Sequence, residues 1–224
     1  MRNALELVGG LVVTTDNSGG IGMKEADAVH APDELVGYFT ARVTLLEQWA
    51  AGAEPVAVIL HNFAGDASWD DYLSGIRRVF SESALGMPPI SGSSETNMEM
   101  LQSAMAVTMV GRRCREVAQS GGSWFLYGRP LVGQDVIREP EKCAELGKVK
   151  RALDGELIDA VWPAGSGGIG AEWLRLTGRP LARWPAGVDP AASAGPATAV
   201  FVRAVPGKEA EASDHFRDYF DEIE

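Results

Sequence analysis

Strand-like and helix-like patterns alternate along the whole chain, and this alternation restricts the fold more than any single motif. Apolar residues recur at three- and four-residue steps over 33–51, which predicts an amphipathic helix ended by Gly52. A strand pattern follows at 56–60, and a second helix pattern begins near Ser68. Further strands are predicted at 106–110, 124–127, 157–161 and 198–205, and further helices from Pro140, from Ala171 and from about residue 209. This order predicts an α+β fold, in other words an α/β sandwich.

The pentapeptide Ser-Gly-Gly-Ile-Gly occurs twice, at 18–22 and at 166–170. The first copy follows the apolar run Leu11-Val12-Val13 and the acid Asp16, at the end of a predicted strand. Glycines let the backbone approach an anion closely, successive N–H groups form an anion-binding concavity, and a carboxylate can hold the accompanying cation. The pattern is therefore typical of a metal-bound phosphate site. A tight turn without any ligand is the alternative interpretation.

Two further acids occupy informative positions. Helical spacing places Glu47 on the inward stripe of the first predicted helix, where a carboxylate needs a cation, a metal or several donors. An exposed helix end, with Glu47 in water or beside an arginine, is the equal alternative. Glu95 lies in a polar, glycine-containing loop predicted over 90–97. Together with Asp16 these acids suit a hard cation such as Mg²⁺, with Asp27 and Asp66 available behind them.

Composition excludes several functional classes. The net charge of −11 and the absence of a cluster of Lys and Arg argue against binding to nucleic acid. No apolar run approaches membrane-spanning length. The N-terminus also lacks the basic residues followed by an apolar stretch that are typical of a signal peptide. Both observations predict a cytoplasmic protein without a membrane partner. Cys114 and Cys143 have no metal-like spacing and are expected to be buried, and the three histidines are scattered.

Four segments occur in the order of a known family: Leu11–Asp16, Gly22–Lys24, Glu47–Pro55 and Ile90–Thr96. They resemble the N-terminal half of the PurM-like superfamily, which includes aminoimidazole ribonucleotide synthetase, thiamine-monophosphate kinase and selenophosphate synthetase. The signature motifs of this superfamily are a strand ending in Thr-Asp, a helix ending in Asp-X-X-X-X-Gly-Ala-X-Pro and a Gly-Gly-(Asp/Glu)-Thr loop. Their acids hold Mg²⁺ against the phosphates of ATP. The resemblance implies that Asp16, Glu47 and Glu95 are the metal ligands, with Glu replacing the usual Asp at 47.

The sequence segments around Asp16, at 61–66 and at 91–97 are most similar to those of the α-ribazole kinase branch of this superfamily. The resemblance implies catalytic roles for Asp16, Glu95 and Lys24, although a solvated surface lysine is the alternative for Lys24. The nucleotide contacts that it implies are Asn17, Ser18, Gly19, Gly20, Asn62, Ser93, Asn97, Ser166, Gly167 and Gly168.

The resemblance also implies an organisation and an activity. Residues 1–115 are expected to form a PurM N-terminal-like ATP- and Mg²⁺-binding domain with a mixed sheet and helices packed on one face, and 116–224 an abbreviated C-terminal α/β region. Many family members carry a Gly-Asp-Asp segment upstream, whereas ten residues precede Leu11 here, so a reduced ATP site is expected. Paired N-terminal sheets imply a homodimer.

The implied activity is a Mg²⁺- and ATP-dependent small-molecule kinase acting on the ribose hydroxyl of α-ribazole. The alternatives are a non-catalytic nucleotide-binding or assembly protein, and another ATP-dependent enzyme such as a thiamine-monophosphate kinase-like protein or a ring-closing synthetase.

Overall fold

The computed structural model describes residues 3–117 and 121–223, and the chain divides into two compact units, Met1–Glu116 and Val117–Glu224. The strands of the first unit are β1 (Ala4–Leu7), β2 (Leu11–Gly19), β3 (Ile21–Gly22), β4 (Val29–His30), β5 (Ala53–Asn62), β6 (Ile90–Ser94) and β7 (Ala104–Arg113). Five of them form one sheet in the order β1-β2-β7-β5-β6, in which only β5 and β6 are parallel. The short strands β3 and β4 pair with each other.

Helix α1 (Asp33–Ala50) packs on one face of this sheet and contacts β2, β5 and β7. The strand residues facing it alternate along each strand and are almost completely buried: Val12, Val58, Leu60, Val107 and Met109. Gln48 adds a polar link, because its Nε2 lies 3.1 Å from the carbonyl oxygen of Val12 and 3.0 Å from that of Met109. A Cβ at Gly111 would lie 2.0 Å from Oε1 of Gln48. Gly111 therefore makes room for this side chain, and β7 continues beyond the predicted strand end at residue 110 to Arg113.

Helix α2 (Trp69–Glu82) follows a 3-10 turn at Asp66–Ser68 and packs against α1. Glycines bring the two helices close together at their crossing. A Cβ at Gly37 would lie 2.6 Å from the carbonyl oxygen of Tyr72, and a Cβ at Gly75 would lie 2.0 Å from that of Glu34. Backbone contacts backbone at this crossing, so larger side chains do not fit.

The second unit has a four-stranded antiparallel sheet in the order β11-β8-β10-β9. Its strands are β8 (Trp124–Tyr127), β9 (Ile158–Pro163), β10 (Val200–Ala204) and β11 (Phe220–Ile223), and its helices are α3 (Gln134–Arg138), α4 (Leu146–Asp154), α5 (Ile169–Thr177) and α6 (Glu209–Phe216). Leu126 and Phe201 pack with Trp173 of α5. Phe125 stacks on Phe220, which also stacks on Phe216 of α6.

The structure confirms the predicted mixed α/β fold and corrects some of its details. The helix predicted from Pro140 begins at Leu146, because Cys143 has an extended backbone. Residues 90–94, expected to be part of a loop, form β6, and β11 was not predicted. Cys114 is exposed and Cys143 partly exposed, so their expected burial is wrong. Within residues 3–117 and 121–223, no helix has the length and apolarity needed to cross a bilayer.

Candidate functional site

Most of the predicted site residues of the first unit lie along one edge of its sheet, where β2, β5 and β6 end and β7 begins. Asp16 is on β2 opposite Val107. Side chains alternate along a strand, so Asp16 shares the face of Val12 and Thr14, and this face carries α1. Asn17, Ser18 and Gly19 continue the same strand. The predicted loop therefore begins only at Gly20, which has a φ of 70°.

The backbone donors of the first glycine segment are largely engaged within the fold. Gly20 donates its N–H to the carbonyl oxygen of Ser103 at 2.8 Å, and its own carbonyl accepts from Ala28 and Val29. These bonds join the β2 end to the segments around it. The anion-binding concavity predicted at Gly20 is therefore not formed by that N–H group.

Glu47 is buried, with 1% of its surface exposed, which decides between the two sequence interpretations in favour of the inward one. Its Oε1 accepts a hydrogen bond of 3.3 Å from Nδ2 of Asn3. Thr44, one turn earlier on α1, accepts at its carbonyl from the hydroxyl of Thr14 at 3.0 Å. Glu47 thus lies on the part of α1 that packs over β2, within reach of Asn3, which directly precedes β1.

Glu95 lies directly after β6. Its N–H donates to the carbonyl oxygen of Asn62 at 2.7 Å, which joins it to the end of β5. Its carboxylate accepts from the N–H groups of Asn97 at 2.6 Å and Met98 at 3.2 Å. These backbone bonds hold the pKa of Glu95 below its usual value. Glu95 is therefore a fixed, ionised carboxylate at the sheet edge.

The three predicted metal ligands do not converge within one chain. The row of paired residues that starts at Asp16 crosses β7 and β5 and reaches Gly92 on β6. β2 and β6 are three strand intervals apart, which is roughly 14 Å. Across residues 3–117 and 121–223, no group of three His, Cys, Asp or Glu side chains is arranged to hold a metal ion. The convergence that the sequence predicted is thus not found in a single copy.

Asn62 is buried and joins the two loops at this edge. Its Nδ2 lies 2.8 Å from the carbonyl oxygen of Gly65 and 2.9 Å from Oγ of Ser94, and its Oδ1 accepts from the N–H of Ala64 at 2.9 Å. Gly65 has φ 105° and ψ 164°, a conformation that strongly favours glycine. The amide predicted to contact nucleotide is therefore occupied in holding the loop between β5 and α2 against β6.

Asp27 and Ser103 form a buried link whose role the sequence did not indicate. Asp27 accepts from the N–H of Ser103 at 2.7 Å, from its hydroxyl at 2.8 Å and from the N–H of Lys24 at 2.8 Å. The partners are 76 residues apart, so no local pattern signals them. Lys24 also donates from Nζ to the carbonyl oxygen of Met100 at 2.7 Å. The candidate catalytic lysine therefore helps to join segments 20–28 and 98–103.

Asp27 should make stability depend on pH. Burial alone would raise its pKa, but the hydrogen bonds from Ser103 and Lys24 outweigh burial and lower the pKa below 3.8. Its contribution is therefore present above the pKa of the unfolded chain, about 3.9, and is lost as the pH falls through the folded-state pKa. We expect Asp27→Asn to reduce the free energy of unfolding by about 1 to 3 kcal/mol at neutral pH.

Urea unfolding as a function of pH checks this expectation, with the exposed neighbour Glu25→Gln as the control. The difference between wild type and Asp27→Asn should shrink as the pH falls from about 4 through the folded-state pKa of Asp27, since wild type then loses its ionised carboxylate. A difference that stays constant down to acid pH would show that the charge of Asp27 is not what stabilises the link.

Comparison with solved structures identifies the architecture. HypE, a hydrogenase maturation protein solved with ATP, superposes with a TM-score of 0.62 at 11% identity, covering 98% of this chain and 77% of that one. Aquifex aeolicus thiamine-monophosphate kinase, ThiL, gives 0.62 at 14% identity, covering 100% and 87%. Thermotoga maritima PurL, solved with AMPPCP, gives 0.59 at 12% identity, covering 98% and 41%. The chain has the PurM-like fold. No family model and no curated protein sequence matches it.

The second glycine segment lies in the other unit of the PurM-like fold and precedes α5. Ser166 and Gly167 are exposed, whereas Gly168 is buried with a φ of 87°. A Cβ at Gly168 would lie 2.9 Å from the carbonyl oxygens of Pro190 and Ala191, and Gly170 donates its N–H to that of Pro190. Close packing against segment 190–191 therefore explains Gly168 and Gly170 without a ligand. A phosphate contact at 166–168 stays a prediction.

Proposed function

We propose that this chain is an ATP- and Mg²⁺-dependent kinase that phosphorylates a hydroxyl group of a small molecule. The observation that carries the proposal is the fixed carboxylate of Glu95 at the end of β6, beside the buried amide of Asn62 that links β6 to the loop before α2. The fold supports it, because the structures that share this fold include HypE in complex with ATP and AaThiL in complex with AMPPCP and TMP. Phosphoryl transfer depends mainly on positioning and on neutralising phosphate charge.

The carboxylates of one copy do not by themselves fit a magnesium ion, as their arrangement across the sheet shows. Our proposal therefore places the metal-binding group at the strand ends between two copies of the chain, with the partly exposed Asp16 from one copy and Glu95 from the other. Glu47 on α1 is 1% exposed, so its part in metal binding stays a prediction. Bound with the ATP phosphates, Mg²⁺ would neutralise their oxygens. Asn17, Ser18, Gly19, Gly20, Ser93, Asn97 and the loop 166–168 are proposed nucleotide contacts, and Lys24 a proposed source of fixed positive charge.

A homodimer is part of this proposal, and the sheet face opposite α1 supports it. Leu5 and Leu7 are 61% and 42% exposed on β1, and the neighbouring side chains of Val13 and Val110 are only partly buried. Leu5 pairs with Val13, and Val13 pairs with Val110, so these side chains form one apolar row. An exposed apolar patch of this kind marks an interaction surface.

Changing the charge of this surface should separate the two copies. We expect Leu5→Arg to shift the molar mass measured by light scattering from that of a dimer to that of a monomer, because a buried unpaired arginine is costly. Ile137→Arg, a substitution of a 40% exposed side chain in the other unit, is the control and should keep the dimer mass. A dimer that persists in Leu5→Arg would place the interface elsewhere.

For the acceptor, we propose the ribose hydroxyl of α-ribazole. The test measures ADP release from Mg-ATP with α-ribazole and, in parallel, with thiamine monophosphate, and detects the phosphorylated product by mass spectrometry. Phosphorylated α-ribazole supports the proposed substrate, and phosphorylated thiamine monophosphate alone reassigns it. ADP release without transfer to any hydroxyl acceptor would contradict the kinase.

A non-catalytic nucleotide-binding or assembly protein is the second candidate. It is favoured by the failure of the three acids to converge within one chain and by the complex that HypE forms with HypF. Binding of Mg-AMPPCP that raises the melting temperature, without turnover of Mg-ATP on any acceptor, would support this candidate over the kinase.

A further inference from the structure

A cleft of about 400 Å³ lies beyond the ends of β5 and β6, at the start of α2. Its lining comprises Asp66, Trp69, Asp70, Gly92, Ser93 and Ser94. β5 and β6 are the parallel pair of this sheet, and α2 lies between them in the chain. In open α/β sheets, ligands bind beyond the carboxyl ends of parallel strands. The cleft is widely open to solvent and occupies a favourable position for a small ligand.

The walls of the cleft are held in place from behind. The buried amide of Asn62 donates to the carbonyl oxygen of Gly65, next to Asp66, and to the hydroxyl of Ser94 on the opposite wall. A Cβ at Gly92 would lie 2.9 Å from the indole ring of Trp69 and 2.0 Å from the carbonyl oxygen of Leu60. Glycine at 92 thus lets the indole lie directly against β6. The cleft is shaped before any ligand enters, which reduces the entropic cost of binding.

The chemistry of the lining selects the ligand. Asp66 and Asp70 are exposed carboxylates, which accept hydrogen bonds from hydroxyl groups and repel phosphate. Ser93 adds a hydroxyl that both donates and accepts. The partly exposed indole of Trp69 offers an electron-rich face against which the C–H face of a sugar ring packs. A nucleotide phosphate does not suit the two carboxylates Asp66 and Asp70, whereas an uncharged group with several hydroxyls does; Ser93, also a proposed nucleotide contact, lies in the same lining.

We propose that this cleft binds the hydroxyl-bearing, sugar-like part of the phosphoryl acceptor through a vicinal diol. The inference rests on the proposed kinase function, because it assigns the acceptor part of the same site. Ser93 and Ser94 immediately precede Glu95 in the chain, so a sugar in the cleft lies next to the proposed metal ligand. Trp69, Asp66 and Asp70 are binding residues for the acceptor in this proposal, and Asn62 is a positioning residue.

Fluorine NMR of the full chain labelled with 5-fluorotryptophan tests the proposal without relying on turnover. The resonance that disappears in Trp69→Phe identifies Trp69. Methyl β-D-ribofuranoside should shift this resonance in a saturable way. Methyl 2-deoxy-β-D-ribofuranoside, whose fixed furanose ring lacks a vicinal diol, should bind about tenfold more weakly because hydrogen bonds to a carboxylate are lost. A Trp69 resonance that does not move with methyl β-D-ribofuranoside, or that moves equally with both glycosides, overturns the proposal.

Matched carboxylate variants separate sugar binding from helix stabilisation. Asp70→Asn and Asp66→Asn should each weaken the binding of methyl β-D-ribofuranoside about tenfold. Asp71→Asn removes an equally exposed carboxylate in the first turn of α2 that does not line the cleft, and it should leave binding unchanged. Equal effects of Asp70→Asn and Asp71→Asn would assign both acids to the helix dipole and reject the subsite.

The nucleotide probe separates failure of this inference from failure of the proposed function. Mg-AMPPCP binding should be the same in wild type, Asp66→Asn and Asp70→Asn, because these side chains do not contact nucleotide in the proposal. Mg-AMPPCP binding with no response to methyl β-D-ribofuranoside leaves the kinase and rejects the cleft as its acceptor subsite. A loss of Mg-AMPPCP affinity in Asp66→Asn or Asp70→Asn assigns the cleft to nucleotide and contradicts the inference.

Discussion

Gly75→Ala is expected to reduce the free energy of unfolding by about 2 to 4 kcal/mol, although alanine is the better helix former by about 1 kcal/mol. The new Cβ would lie 2.0 Å from the carbonyl oxygen of Glu34 and 2.5 Å from the backbone nitrogen of Tyr38. Both atoms belong to the backbone of α1, so no side-chain rotation relieves the overlap. The helices must move apart instead, and the side chains buried between them lose contact.

The control for this prediction is Gly86→Ala. A Cβ at Gly86 has no heavy atom within 4 Å, and its φ lies outside the left-handed region. This substitution should leave the stability unchanged or raise it by up to about 1 kcal/mol, since alanine restricts the unfolded chain. Urea unfolding of both variants gives the comparison. Equal stabilities would show that α1 and α2 do not depend on a glycine contact.

The extent to which sequence predicted this structure differs between elements for physical reasons. α1 was predicted nearly to the residue, because its apolar spacing and the glycine after it are local signals. For Glu47, helical spacing gave burial and exposure as equal alternatives, and the structure shows burial. β6 was missed because Ser-Gly-Ser-Ser has little intrinsic strand preference. It forms a strand because β5 supplies its hydrogen-bonding partners.

Contacts between segments that are distant in the sequence could not be predicted from local sequence patterns. The link between Asp27 and Ser103 spans 76 residues, and the crossing of α1 and α2 depends on glycines in two different helices. For the candidate site, the sequence predicted three acids and their order along the chain but not the distance between them. Separation depends on strand order, and β7 and β5 lie between the strands that carry Asp16 and Glu95. The cleft beside Trp69 was likewise not predicted, since it arises from parallel pairing.

The distance between Asp16 and Glu95 within one chain leads to a prediction about enzymatic activity. Asp16→Asn alone and Glu95→Gln alone are each expected to reduce kcat about 100-fold, because each removes a carboxylate that would hold the Mg²⁺ that neutralises the transferred phosphoryl group. Glu99→Gln, an exposed neighbour of Glu95, is the control and should keep wild-type activity. ADP release with the phosphorylated acceptor as product measures all three variants.

Co-expression of Asp16→Asn and Glu95→Gln chains that carry different affinity tags then tests which copy supplies which carboxylate. If each site takes Asp16 from one copy and Glu95 from its partner, a mixed dimer carries one site with both substitutions and one intact site. Half of the dimers in an equal mixture are mixed, so the preparation should recover about a quarter of wild-type activity, although neither chain alone is active. If both carboxylates came from the same copy, every site would carry one substitution and the mixture would be as inactive as its parts. Recovery of activity would therefore explain how two acids located at strands roughly 14 Å apart in one sheet serve one phosphate group.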